Sequence, residues 1–212
     1  MSETAINTIL DYAREGAALR ESFLTQAAPT INALGLHVAH TIATGKKLLL
    51  CGNGGSAADC QHIAAEFMNR FQLDRPPLPA VALTTDSSII TSIGNDFSFD
   101  QIFAKQVQGL GTQGDLLLAI STSGNSPNVL AAVAAAKEKG LFVVGLAGKD
   151  GGALARQCHA CLTVPHANTA LVQELHITIG HLLCLLADHY LFQNVAALGP
   201  YLEGSLPLPL PQ

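Results

Sequence analysis

Five short apolar runs, each followed by a stretch with helical spacing, restrict most of this chain to one kind of architecture. The runs lie at 48–51, 80–83, 116–120, 142–146 and 161–164. They are nearly unbroken in apolar character rather than alternating, as strands covered on both faces are. Helical spacing falls between them at about 57–70, 87–93, 101–109, 127–139 and 151–157, and a long helix is expected over about 169–193. Strand–helix alternation of this kind predicts an α/β fold, a doubly wound five-stranded parallel sheet of the flavodoxin-like type. Ligands bind beyond the carboxyl ends of such strands, so the loops after Cys51 and Ile120 are where chemistry is expected.

Ahead of the sheet, residues 4–44 carry apolar side chains at helical spacing (Ile6, Ile9, Leu10, then Ile31, Leu34, Val38) with a break near Ala28 and Pro29. That pattern predicts an N-terminal helical hairpin over 1–44 that makes oligomer contacts, followed by a core over 45–196. The tail, 197–212, alternates Leu and Pro from Gly199 onward and is expected to form neither helix nor central strand, but an extended or disordered arm.

Hydrophobic residues make up 49% of the 212 and charged residues 13%, so a large apolar surface must be buried inside the fold or between copies of the chain. A homo-oligomer is expected. A net charge of −5, with no basic run longer than Lys46-Lys47, argues against a sequence-independent grip on nucleic acid. The opening Met-Ser-Glu-Thr lacks a signal-peptide pattern, and the greasy stretch after His181 is interrupted by Asp188 and His189, so a cytoplasmic protein with no membrane span is expected. Five cysteines, an odd number, suit reduced thiols, and the single Cys158-x-x-Cys161 pair reads as strand-end cysteines rather than a zinc site.

Two loops carry the chemistry. Gly52-Asn53-Gly54-Gly55-Ser56 leaves a strand and opens a helix, so its amides and the helix dipole favour an anion such as a phosphate. Ser121-Thr122-Ser123-Gly124-Asn125-Ser126 also leaves a strand. Pro127 at the first helical position makes Ser126 an N-cap, and the other hydroxyls exceed what capping needs but suit a phosphate monoester. His62 and Glu66, four apart, share a face of the helix opened by the first loop and can meet one ion or substrate. Gln173, His176 and His181 lie on the late helix, where histidines among apolar neighbours are usually core groups. On a straight helix Gln173 and His181 stand about 12 Å apart, so one ion bound by both requires a distorted helix start or two chains. Asn95-Asp96 is either an Asx turn capping the next helix or a pair of sugar contacts.

These segments, with Gly94-Asn95-Asp96-Phe97, Gly148-Lys149-Asp150-Gly151-Gly152 and Gln173-Glu174-Leu175-His176, resemble the phosphoheptose isomerase family of the sugar-isomerase (SIS) fold, from the N-terminal helices through the long last helix. The resemblance implies a homotetramer converting sedoheptulose 7-phosphate to D-glycero-D-manno-heptose 7-phosphate for lipopolysaccharide-core heptose, with sites between subunits. It implies zinc on His62, Glu66, Gln173 and His181. Substrate contacts would come from Asn53, Gly54, Gly55, Ser56, Glu66, Asn95, Asp96, Ser121, Thr122, Ser123, Ser126 and Gln173. The chain departs from the family pattern at Ala170 and Leu171, where an acid and an arginine are often found. Moving a carbonyl between C2 and C1 through a cis-enediolate needs a base and an acid. Glu66 is expected to move the proton between carbons and His181 to serve the oxygens. The rivals are a non-catalytic tetrameric adaptor, similar to the SIS protein that binds the bacterial replication initiator and lacks a carboxylate at the Glu66 position, and an isomerase of another sugar phosphate.

Overall fold

The computed structural model describes residues 3–204. In chain order it runs α1 (Glu3–Ala43), β1 (Leu48–Gly52), α2 (Gly55–Met68), β2 (Ala80–Ala82), α3 (Ser87–Asp96), α4 (Ile102–Leu110), β3 (Leu116–Ser121), α5 (Pro127–Glu138), β4 (Phe142–Gly148), α6 (Gly152–Gln157), β5 (Ala160–Val164), α7 (Thr169–Asp188) and a terminal turn, α8 (Gly199–Leu202). All strands pair in parallel, in the order β2-β1-β3-β4-β5. That is the doubly wound order whose direction reverses between β1 and β3, and the two glycine- and serine-rich loops leave those two neighbouring strands at the switch point where ligands bind.

Strand residues alternate between two separate cores. Leu48, Leu50, Leu116, Leu118, Ile120, Val144 and Leu146 point to the face covered by α1, α2 and α7. Leu49, Cys51, Leu117, Ala119, Val143 and Ala147 point to the face covered by α4, α5 and α6. The near-continuous apolar runs are explained by this two-sided burial. At the opposite end of the sheet, the buried Asp115 carboxylate accepts from the Lys47 ammonium (2.6 Å) and backbone N–H (3.0 Å), and from the N–H and hydroxyl of Thr112.

Three sequence expectations are corrected. The N-terminal hairpin is a single helix of 41 residues that runs through Pro29. Proline removes one intrahelical bond and crowds the preceding residue; here that residue is the small Ala28, and the turns beyond it bury Ile31, Leu34 and Val38 against the core, which outweighs the local penalty. The proline-containing tail forms one helical turn at Gly199–Leu202, since Pro200 occupies the first turn, where its missing N–H is not needed. The remainder of the expected arm, 205–212, lies outside the described residues. Against the expectation that Asp188 and His189 interrupt it, Thr169–Gln193 is by length and composition apolar enough to cross a membrane. It instead packs Val172, Leu175, Ile179 and Leu183 into the core shared with α1 and α2, and Asp188 has a buried partner, Arg75.

Candidate active site

The first loop folds as a tight strand-to-helix turn because Gly54 adopts φ +56°, ψ −121°, a conformation open in practice only to glycine. The N–H groups of Ser56 and Ala57 close on the carbonyls of Asn53 and Gly54, which leaves the exposed Gly54 and Gly55 facing outward at the positive end of α2. Ser56, in the first turn of α2, is buried.

The second loop is held by its own hydroxyls. Ser121 Oγ lies 2.9 Å from Ser126 Oγ and 3.4 Å from Ser123 Oγ, and Ser123 Oγ also accepts from the Asn125 N–H. Ser126 does sit at the N-cap of α5, but its hydroxyl makes no capping bond and turns to Ser121 instead. Thr122 is half-buried and Ser123 exposed. Gly124, at φ +65°, packs so closely on Gly151 that a Cβ there would collide with the Gly151 carbonyl oxygen. Asn125 Oδ1 accepts from the Ala153 N–H, which ties in the glycine-rich loop after β4. The first two loops are joined by an amide pair in which Asn53 Nδ2 donates to Asn128 Oδ1 and Asn128 Nδ2 donates back to Asn53 Oδ1, each at 2.8 Å.

On the same face of the sheet α2 and α7 lie side by side, running in one direction. A Cβ on Gly55 would strike the Gln173 amide, and one on Gly180 would strike Ile63. Further along, His181 Nε2 comes 3.0 Å from His62 Nε2, which lies 3.2 Å from Glu66 Oε1. These donor atoms of His62, Glu66 and His181 all lie within 4.8 Å of one another. Phe71, from the connection after α2, stacks on His181 with ring centroids 5.5 Å apart. The cluster is open to one side: the His62 side chain is 50% exposed and that of Glu66 26%.

The structure thus brings together His62, Glu66 and His181, and separately brings Gly55, in the turn that holds Asn53 and Gly54, beside Gln173. α7 is helical throughout 169–188, so Gln173 stays at the turn, about 12 Å along the helix from His181. Asn95 and Asp96 are exposed at the end of α3 and bond to each other at 2.8 Å. The capping alternative for them fails, because Asp86 caps α3, Ser98 precedes the following turn and Asp96 lies inside the helix. His176 is a core group as expected: it is fully buried, its Nε2–H donates to the Ala147 carbonyl at 3.0 Å, and burial pushes its pKa down so that it is held neutral. Leu171, at a departure from the family pattern, is buried against Gly16 of α1.

Asn128, Phe71 and Arg75 escaped the sequence reading. Asn128 was the most accessible of them, being an asparagine just past a phosphate-type loop where a better helix former is usual. Arg75 sits in a proline-containing connection with no periodicity to flag it.

Comparison with known proteins agrees with this geometry. The sequence signature of the SIS domain matches residues 11–148. A phosphoheptose isomerase of Nitratidesulfovibrio vulgaris (strain Miyazaki F) is 58% identical over 207 residues, covering 98% of this chain and all of that protein. The solved phosphoheptose isomerase of Francisella tularensis is 38% identical with a TM-score of 0.85, over 89% of this chain and 100% of that one. That of Neisseria gonorrhoeae is 40% identical with a TM-score of 0.81, over 87% of this chain and 98% of that one. The chain is therefore a SIS-domain protein, and within that class it belongs to the phosphoheptose isomerase family.

Proposed function

We propose that this protein is an aldose–ketose isomerase converting sedoheptulose 7-phosphate to D-glycero-D-manno-heptose 7-phosphate, at the entry to lipopolysaccharide-core heptose, in the cytoplasm. The observation that carries the reading is the convergence of His62, Glu66 and His181 on two helices, one of which begins at the glycine turn. A sugar phosphate held by the Gly54–Gly55 turn and the Ser121–Ser126 hydroxyls presents its carbonyl end to these groups. Glu66 takes the proton from C1 of the ketose and returns one to C2, while His181 protonates O2 and relieves O1 of its proton, so the enediolate forms and collapses without free acid or base. The adaptor reading is disfavoured by the carboxylate at position 66, which the adaptor lacks.

The side chains also fit a metal. Two imidazole nitrogens and a carboxylate oxygen within 4.8 Å of one another form a donor set suited to zinc. When bound, zinc would polarise the sugar carbonyl and stabilise negative charge on oxygen. His62, Glu66 and His181 of one chain would hold it; Gln173, from its place at the turn, would contact substrate, or would serve as a ligand only across a subunit interface. We propose a homotetramer on the same grounds as the expected burial: Leu24, Ala28, Ile31, Leu182, Leu185 and Leu186 form an almost wholly apolar open groove of about 310 Å³ beside the site. In this arrangement α1 is the assembly element and 45–196 the isomerase core. Incubating the purified protein with sedoheptulose 7-phosphate and following the aldose product tests the reading. Absence of product, with binding retained, would overturn the reading in favour of the adaptor or of an isomerase of another sugar phosphate.

A further inference from the structure

We infer that Arg75 is a positioning residue of this site, which sets Glu66 against His181 through one buried guanidinium. The inference rests on the reading of Glu66 and His181 as the proton-transfer pair. Arg75 and Asp188 side chains are each 2% exposed, and Arg75 Nε donates to Asp188 Oδ1 at 2.6 Å. The rest of the fork is also engaged: Nη2 donates to the Glu66 carbonyl at 3.0 Å, and Nη1 to the carbonyls of Phe67 at 2.9 Å and Pro76 at 3.1 Å. The Glu66 and Phe67 carbonyls belong to the last turn of α2, where no intrahelical donor remains and the dipole is negative. Asp188 stands seven residues beyond His181, two turns along α7 and on the same side of the helix. The guanidinium therefore bolts the end of the helix that carries His62 and Glu66 to the helix that carries His181. The connection it anchors also lays Phe71 on the His181 ring.

Two features separate this from an ordinary stabilising ion pair. Asp188 Oδ2 is buried and has no hydrogen-bond partner among the described residues, a costly arrangement that a pair retained for stability alone would not need. Buried ion pairs can moreover often be replaced by apolar residues without loss of stability. What an apolar pair cannot do is hold the carbonyls beneath Glu66 from a fixed point on α7, and a lysine, with its single nitrogen, cannot reach all of these acceptors at once.

The test compares R75M/D188L, R75K and E66Q with the parent, each loaded with zinc, for unfolding temperature, zinc affinity and the kcat and KM for sedoheptulose 7-phosphate. R75M/D188L, which also strips donors from the Glu66 and Pro76 carbonyls, is expected to unfold below the parent temperature but to stay folded under assay, to lose about 10- to 100-fold in kcat and in zinc affinity, and to keep its KM within about twofold. R75K is expected to show the same split in smaller measure. A folded double variant with parent-like kcat overturns the proposal, as does a loss shared equally by kcat and the folded fraction. Should the double variant fail to fold, R75K decides on the same readouts, and parent-like turnover in it overturns the proposal. E66Q separates the layers: an inactive E66Q beside a parent-like R75M/D188L sinks the role of Arg75 alone, whereas a fully active E66Q removes both that role and the reading beneath it.

Discussion

The two ends of the site are built differently. The end proposed to seat the phosphate is closed within one chain: Ser121 is buried, the serine hydroxyls bond to one another, Asn53 and Asn128 lock their loops together, and Gly124 is pressed on Gly151. The end proposed for proton transfer is open: His62 is half exposed, and a cavity lined by Arg20, Phe71, Thr178 and Leu182 opens beside His181. The difference teaches that anchoring and chemistry obey separate constraints. An anion seat needs rigid donors that need not move, whereas the reacting carbons must be reached by side chains and shielded after the substrate enters.

Breaking the open end should have the largest effect. Glu66→Gln is expected to lower kcat by about 100- to 10,000-fold with little change in KM, measured by steady-state aldose formation. Activity near that of the parent would show that the carboxylate takes no part. Next, a chelator is expected to abolish most turnover and added zinc to restore it; chelator-insensitive turnover would confine His62 to a structural part. At the closed end the pattern should invert. Ser121→Ala together with Ser126→Ala is expected to raise KM about 10- to 100-fold by removing hydrogen bonds to a charged phosphate, while kcat falls less. Asn128→Ala should cost about 1 kcal/mol of stability, seen as a lower denaturation midpoint, because the half-buried Asn53 amide loses its partner.

The smallest expected effect is a control far from either end. Burial alone would raise the Asp115 carboxyl, but the bonds from Lys47 and Thr112 outweigh it and hold its pKa below the ordinary value. A group depressed on folding contributes stability above its unfolded pKa, about 4, and loses it as pH falls through the folded value. Asp115→Asn should therefore lower stability at neutral pH and flatten the acid limb of the stability curve, without shifting the kcat-to-KM pattern. A change in that pattern would mean that the two ends of the sheet are coupled.

Much of this was legible in the residues. Buried parallel strands declare themselves by unbroken apolar runs, and glycines and serines at strand ends mark the seats for an anion, so the sheet and both loops were readable along with His62 and Glu66, whereas His181 was marked only by the family resemblance. α1 was misread because proline's local cost is visible in the sequence, while the burial of Ile31 and Leu34 that offsets it exists only in three dimensions. The double meaning of Ser126, and the roles of Asn128 and Arg75, depend on partners dozens of residues away that no local spacing encodes. Gln173 shows the reverse: its distance from His181 followed from helix geometry alone.

The amide pair across the two loops has a consequence for handling the protein. Asn53 is followed by Gly54, a dipeptide whose unhindered backbone nitrogen makes side-chain hydrolysis to aspartate easy. In the folded chain the Asn53 amide is clasped by Asn128, which holds it away from that attack. Were it hydrolysed, the new carboxylate could accept from Asn128 but not donate to it, and a negative charge would stand under the seat meant for an anion. Aged preparations should then bind sugar phosphate less well before they show any loss of fold.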